Sequence, residues 1–245
     1  MRSASFVILA AGLGTRMKNN IPKVLTPFFG KEMIMHIFEM VQLLDPKEII
    51  LVVPEEHQMF KSLFGREVKY CIQKEPLGTG HAAWQATKNI DHSNDIFVIN
   101  GDMPNINESV IRSLYFEHTQ KSNTLTITTS FVQNPFGYGR VLRNSEDEIQ
   151  EIIEESDLDE KNYQINEINA GLYVFNCVWL KKYLLELNQQ DLVEYKLTDL
   201  VKLAHSNGFQ IGNIEANEKI IYGVNTLNQL KKLEYLMSDD LETKS

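Results

Sequence analysis

Four short apolar runs punctuate the first hundred residues: SFVILAA at 5–11, KEIILVV at 47–53, VKYCI at 68–72 and DIFVING at 95–101. Each has the length of a buried strand, and helix-length segments separate them. Met33, Ile34, Ile37, Phe38, Val41 and Leu44 recur at helical spacing. PEEHQMFKSLF opens with Pro54 and two acids, as helix starts do, and GHAAWQATK follows a glycine turn. NESVIRSLYFEHTQ then reads as a helix with Asn107 at its N-cap. Strands alternating with helices close through crossover units, so the expected class is α/β, doubly wound around a mostly parallel sheet.

Beyond TLTITTSF the texture changes. FGYGRVLRN, the acid-rich SEDEIQEIIEESDLDE and INEINAGLYVFN predict an antiparallel excursion that carries part of a site. VWLKKYLLEL, KLTDLVKLAH and NTLNQLKKLEYLM read as helices. With no internal repeat, low-complexity linker or Pro/Gly/Ser-rich hinge, one continuous domain over 1–245 is expected. A chain of 245 residues, 43% hydrophobic and 23% charged, has the composition of an ordinary globular protein. Cys71 and Cys177 lack metal-ligand spacing and read as buried thiols in a reducing compartment. Phe6 to Ala11 is well under the length of a membrane span and lacks a small-residue cleavage site, so a cytoplasmic location is expected. A net charge of −9 argues against nucleic acid or a membrane surface as partner.

Against that acidic background the first 31 residues carry Arg2, Arg16, Lys18, Lys23 and Lys31 and no acid. The average of 33 acids in 245 residues would put about four there. Glycines thread this basic stretch: LAAGLGTR follows the first apolar run and so sits at the carboxyl edge of the sheet, where open α/β folds bind ligands. Gly12 and Gly14 let backbone N–H groups approach phosphate oxygens. Met17 stands where the dinucleotide fingerprint needs a third glycine, and the P-loop Gly-Lys-Ser/Thr is missing. The loop offers Arg16 as a bidentate fork and Lys23 as a compact charge behind Pro22, which suits a nucleoside triphosphate attacked at phosphorus.

LAAGLGTRMKNNIPKVL resembles the signature L-x-x-G-x-G-T-R-M-x-x-x-x-P-K of sugar-phosphate nucleotidyltransferases. Within that family it is similar to the pyrophosphorylase domain of bifunctional N-acetylglucosamine-1-phosphate uridyltransferase. QKEPLGTGHA, VINGDMP, FGYGRV, EIIEE, EINAGLYVFN, EYKLTDLV and YGVNT follow in the family's order at compatible spacing, nearly to the chain's end. The resemblance implies the Rossmann-like nucleotidyltransferase fold and Mg²⁺-dependent synthesis of UDP-N-acetylglucosamine and pyrophosphate from UTP and N-acetylglucosamine 1-phosphate. It implies a mainly nucleotide-binding part at 1–120, a mainly sugar-phosphate-binding part at 121–225 and a C-terminal helix and tail at 226–245. Hexapeptide repeats of the relatives' left-handed β-helix acetyltransferase domain are not found in this sequence. A uridyltransferase half alone is therefore expected. The oligomeric state stays open, monomer or dimer ranking above trimer, because trimerisation of the relatives comes from that second domain.

The resemblance also assigns roles. Arg16 and Lys23 are the catalytic cations. Leu9, Ala10, Ala11, Gly12, Gly14, Gln73, Gly78 and Thr79 bind the nucleotide, with Gln73 reading the pyrimidine edge through its donor and acceptor. Asp102 and Asn225 hold the Mg²⁺, an ion that keeps several waters and takes few protein ligands. Gly139, Glu154, Asn169 and Thr198 bind the sugar phosphate. His81, His36 and His205 read as packing or surface residues, since a sugar phosphate is already an anion and needs no catalytic imidazole.

Three positions depart from the family pattern, all on the sugar side. Ser156 stands where EHKD has its lysine, Lys196 replaces the aromatic of EYYITD, and Asn100 replaces an aromatic before Gly101-Asp102. Lys196 is expected to supply the missing positive charge. These departures keep other uridylyl-, thymidylyl- and cytidylyltransferases of sugar or alcohol phosphates as alternatives. A non-catalytic regulatory relative ranks lower, because Arg16, Lys23, Asp102 and Asn225 are all present.

Overall fold

The computed structural model describes residues 1–12, 21–90, 93–188 and 193–242. In chain order the elements are β1 (Ala4–Leu9), β2 (Pro27–Phe28), β3 (Lys31–Glu32), α1 (Met33–Gln42), β4 (Glu48–Val53), α2 (Gln58–Phe64), β5 (Lys69–Ile72), α3 (Thr79–Thr87), β6 (Asp95–Asn100) and α4 (Glu108–Gln120). There follow β7 (Leu125–Phe131), β8 (Arg140–Arg143), β9 (Ile149–Ile153), β10 (Glu167–Asn176), α5 (Cys177–Asn188), α6 (Asp199–Ser206), β11 (Ile211–Glu215), α7 (Glu218–Ile221) and α8 (Leu227–Glu242).

The main sheet runs β11-β7-β10-β6-β1-β4-β5. β5, β4, β1 and β6 are mutually parallel, as are β11 and β7, and only β10 runs against its neighbours along this path. Residues of a strand alternate between faces. Accordingly Phe6 and Ile8 of β1 join the core beneath α1, α2 and α4, while Val7 joins the core beneath α3, α5 and α6. This is the doubly wound α/β arrangement that the alternating runs predict. Phe6 and Phe97 pair across β1 and β6 and stack with ring centroids 4.3 Å apart. The expected antiparallel excursion is the β8–β9 hairpin, which joins the sheet where Arg140 pairs with Ile168 of β10. α8 packs Leu230 and Leu233 on Phe28, Met33, Tyr222 and Val224, a third and smaller apolar cluster.

Two features differ from the sequence pattern. α2 begins at Gln58, four residues after Pro54, and Glu55 and Glu56 lie in the connection before it. The acids there mark the loop and not the first helical turn. β11 has no apolar run of its own: IGNIE is only partly buried, and it forms by parallel pairing with β7 at the sheet's edge. Asn107 does cap α4, its side chain accepting from the Val110 N–H at 3.0 Å. Among the described residues no helix is long and apolar enough to cross a membrane, and both cysteines are buried and free.

Phe97→Ala removes a fully buried ring from the centre of the sheet, and such truncations cost about 3–5 kcal/mol. Urea denaturation is expected to show that loss. Phe116→Ala, at a ring 67% exposed, is expected to stay within about 0.5 kcal/mol of the parent.

Candidate functional site

β1 and β6 end side by side, with Leu9 opposite Asn100, and two adjoining cavities open at that carboxyl edge. One, of about 270 Å³, is lined by Leu9, Ala11, Gly12, Lys23, Gln73, Gly78 and neighbours. The other, of about 210 Å³, is lined by Gly139, Glu154, Asn169, Thr198, Asn225 and neighbours. Thr79, Asn100 and Asp102 belong to both and form the wall between them. Residues assigned to a nucleotide thus meet in one cavity and those assigned to a sugar phosphate in the next. The exception is Ala10, which lines neither: it is buried and its N–H is taken by the Val52 carbonyl at 2.8 Å. Gly14 and Arg16 lie outside the described residues.

Lys23 stands at the junction. It opens a single 3₁₀ turn, Lys23–Leu25, whose Val24 and Leu25 are buried, so apolar packing aims the ammonium outward into the cavity. That ammonium donates to Asp102 Oδ2 and, at 2.8 Å, to Asn225 Oδ1. The three residues come from distant segments brought together by local bonds. Gly101 N–H bonds the Leu9 carbonyl at 2.9 Å and sets Asp102 just beyond β6, while the Asp102 carbonyl accepts from Val224 N–H at 2.9 Å. Thr226 Oγ1 accepts from Gln229 N–H at 3.2 Å, and Gln229 Oε1 accepts from Asn225 N–H at 2.8 Å. That reciprocal cap fixes Asn225 at the entrance to α8. One carboxylate and one amide oxygen therefore face a cation, a hard-oxygen pair of the kind a divalent ion with several waters needs. Among the described residues no three His, Cys, Asp or Glu side chains converge as a fuller metal cage.

On the first cavity's outer side, Gly78 adopts φ +100°, open to glycine and strained for other residues. A Cβ there would lie 2.5 Å from the Tyr195 carbonyl oxygen. The 77–80 turn can therefore lie flat on the 195–197 segment. Gly80 N–H bonds Tyr195 O at 2.7 Å, Tyr195 N–H bonds Leu77 O at 2.8 Å, and Leu197 N–H bonds Thr79 Oγ1 at 3.0 Å. Gln73, just past β5, is buried with its amide directed at this turn.

In the second cavity Glu154 accepts from Thr198 Oγ1 at 2.8 Å, and burial pushes its carboxyl above the ordinary glutamate range despite that bond and nearby Lys196. Asn169 donates to the buried Tyr173 hydroxyl at 2.6 Å. Both line this cavity, on either side of a register shift in the pairing of β10 with β7. Gly171, at φ +76°, sits inside that shift, and a Cβ on it would fall 2.2 Å from the Asn100 amide. Asn100 fills the space that a side chain at 171 would take. Behind the hairpin the buried Arg140 pairs with Glu155 at 2.8 Å and pins β8 to the segment after β9.

Lys196 lines neither cavity. Its ammonium is held by Asp157, beside Ser156, so it ties the two departing segments together outside the cavity lining. Tyr173 and Glu194 escaped the sequence reading. Tyr173 lines the second cavity as the partner of Asn169, four residues away along β10, and Glu194 reaches the first cavity through the clasp between 77–80 and 195–197.

With this geometry in hand, comparison with known proteins gives a consistent family. Residues 5–219 match the nucleotidyl transferase family model. The bifunctional protein GlmU of Caldanaerobacter subterraneus subsp. tengcongensis is 38% identical over 232 residues, covering 94% of this chain and 51% of that protein. The bifunctional protein GlmU of Clostridioides difficile is 35% identical over 233 residues, again 94% and 51%. The chain spans about half the length of these curated relatives. A Bacillus anthracis protein described as a glucose-1-phosphate thymidylyltransferase, crystallised with sucrose, superposes with a TM-score of 0.76 over 95% of this chain and 94% of that one at 19% identity, a likeness of fold alone. A family model spanning most of the chain and relatives above one-third identity agree with the paired cavities: the chain belongs to the nucleotidyl transferase family.

Proposed function

We propose that the chain transfers a uridylyl group from UTP to N-acetylglucosamine 1-phosphate, forming UDP-N-acetylglucosamine and pyrophosphate in the cytoplasm. The observation that carries this reading is the Lys23 ammonium held between Asp102 and Asn225 on the wall that two cavities share. On this reading residues 1–120 supply most of the nucleotide cavity and residues 121–225 most of the sugar-phosphate cavity, ahead of the C-terminal helix and tail at 226–245.

The reaction joins a phosphate oxygen of the sugar phosphate to the α-phosphorus of UTP as the bond to the β-phosphate breaks, and pyrophosphate leaves in line. The nucleophile is an anion, so no side chain has to take a proton. Catalysis is then positioning and charge neutralisation. Lys23 neutralises charge at the α-phosphate, and Arg16 does so from the glycine loop. Asp102 and Asn225 suit Mg²⁺, which when bound supplies further positive charge to the phosphates. Asp102 and Asn225 would hold that ion through their oxygens, beside the Lys23 ammonium that they already accept from. Gln73 and the Gly78 backbone read the base. Glu154 and Asn169 accept and donate to sugar hydroxyls and the acetamido group, and Thr198 orders Glu154.

Lys23→Ala and Arg16→Ala are each expected to lower turnover about 10²- to 10³-fold with unchanged thermal melting, read by pyrophosphate release. Asp102→Ala is expected to abolish Mg²⁺-dependent turnover, and undiminished activity in EDTA refutes the metal assignment. Glu154→Ala and Asn169→Ala are expected to raise the sugar-phosphate KM about tenfold or more, the cost of an unpaired buried polar group, with little change for UTP. Four nucleoside triphosphates assayed against N-acetylglucosamine and glucose 1-phosphates test the substrate pair. Equal kcat/KM for the two sugars removes the N-acetyl preference, and preference for another base removes the uridylyl assignment.

The raised Glu154 pKa sets a pH dependence. Its hydroxyl-accepting form is the ionised one, present above the shifted pKa and lost as pH falls through it. The sugar-phosphate KM is therefore expected to rise on acidification while still above the ordinary glutamate value of about 4.3. The substrate phosphate itself titrates at about pH 6, so the comparison is with Glu154→Gln, in which the Glu154 titration alone is removed. Superimposable profiles for the two proteins contradict the assignment.

A further inference from the structure

Gln73, the base reader proposed above, carries a donor and an acceptor on one rotatable amide. Left free, it could offer N–H to cytosine N3 or oxygen to uracil N3–H. The structure restricts it. The Gly78 carbonyl can only accept, so the Gln73 atom 3.0 Å from it is Nε2. The same nitrogen lies 3.0 Å from His81 Nδ1 and sends its second hydrogen there. Nδ1 must then hold a lone pair, with the ring hydrogen on Nε2. Both Gln73 hydrogens are spent, and Oε1 is what remains for the cavity that Gln73 lines.

The far side of the ring carries an imbalance. Nε2 meets the Gln85 amide at 2.9 Å, and the other end of that amide meets Lys88 Nζ at 2.9 Å. An acceptor at the Gly78 end and a donor at the Lys88 end leave the chain one hydrogen bond short. The exposed link yields, because the Lys88 ammonium has the Trp84 ring 3.3 Å away, and Gln85 turns its oxygen to His81. Burial and the Lys88 charge outweigh the Glu75 carbonyl and carboxylate and hold the His81 pKa below the ordinary histidine range, which favours the neutral imidazole that this arrangement needs.

We propose that His81 is a positioning residue for base selection: it locks Gln73 with only its oxygen toward the cavity, so a pyrimidine with N3–H is taken and cytosine is refused. This rests on the reading of the first cavity as the nucleobase pocket. A locked acceptor facing the lone pair of cytosine N3 loses a hydrogen bond and gains a repulsion, and only rotation of the amide would relieve it.

The test compares kcat/KM for UTP and CTP in the parent, His81→Phe, His81→Asn and Gln73→Ala. The phenylalanine variant is expected to lose at least about tenfold of the UTP preference, with the sugar-phosphate KM unchanged. His81→Asn, whose oxygen takes the place of Nδ1 as acceptor, is expected to restore most of it. Should the phenylalanine variant not fold, His81→Ser removes the acceptor without adding bulk and is set against His81→Asn. Full preference in His81→Phe or His81→Ser, with preference lost in Gln73→Ala, overturns the positioning role. Full preference in Gln73→Ala overturns instead the assignment of this cavity to the base.

Discussion

A single ammonium holds together what the rest of the site depends on. Lys23, Asp102 and Asn225 are separated by 79 and 202 residues from the lysine outward, and each is set by different physics. Lys23 is aimed by the burial of Val24 and Leu25, Asp102 by the backbone bond that continues β1 onto Gly101, and Asn225 by the cap of α8. Apolar packing and main-chain pairing thus position the charge, and the charge then joins two cavities at one wall. In such a site the electrostatic groups need little rearrangement as the reaction proceeds, the condition under which fixed charges are most effective.

Much of the frame was legible in the chain because its signals are local. The apolar runs that became β1, β4 and β6 are almost wholly buried strands, while β5 at the sheet's edge buries only Cys71, and Leu9, Ala11 and Gly12 line a cavity at the carboxyl edge where their order predicts a ligand. Among the described residues, those that the family's motifs assign to nucleotide and sugar fall into adjoining cavities, with Ala10 the exception. What the sequence concealed depends on long-range pairing. β11 is ordered by β7, and Glu194 by a clasp between segments more than a hundred residues apart. His81 is the sharpest case. Its spacing reads as a packing residue on a helix, and only the partners on its two ring nitrogens reveal the restriction that it places on Gln73.

The departures on the sugar side gain a common physical meaning. Asn100 occupies space left by the bare backbone of Gly171, on the wall between the cavities. An amide at that position offers hydrogen bonds where a ring would offer a flat apolar face. Lys196 and Asp157 form an ion pair beside Ser156 outside the lining of both cavities. The wall between the cavities thus carries an amide and the rim an ion pair, while the Glu154–Thr198 and Asn169–Tyr173 pairs line the second cavity.

The clasp between 77–80 and 195–197 has a thermodynamic corollary. Three hydrogen bonds make the turn beside Gln73 and the segment leading to Thr198 one mechanical piece. A molecule that orders either half stiffens the other, and the second arrival then loses less conformational freedom on binding. Linkage makes that effect symmetrical in free energy, whichever ligand comes first. Coupling of that kind would travel through these three bonds alone and would ask for no hinge between the two segments.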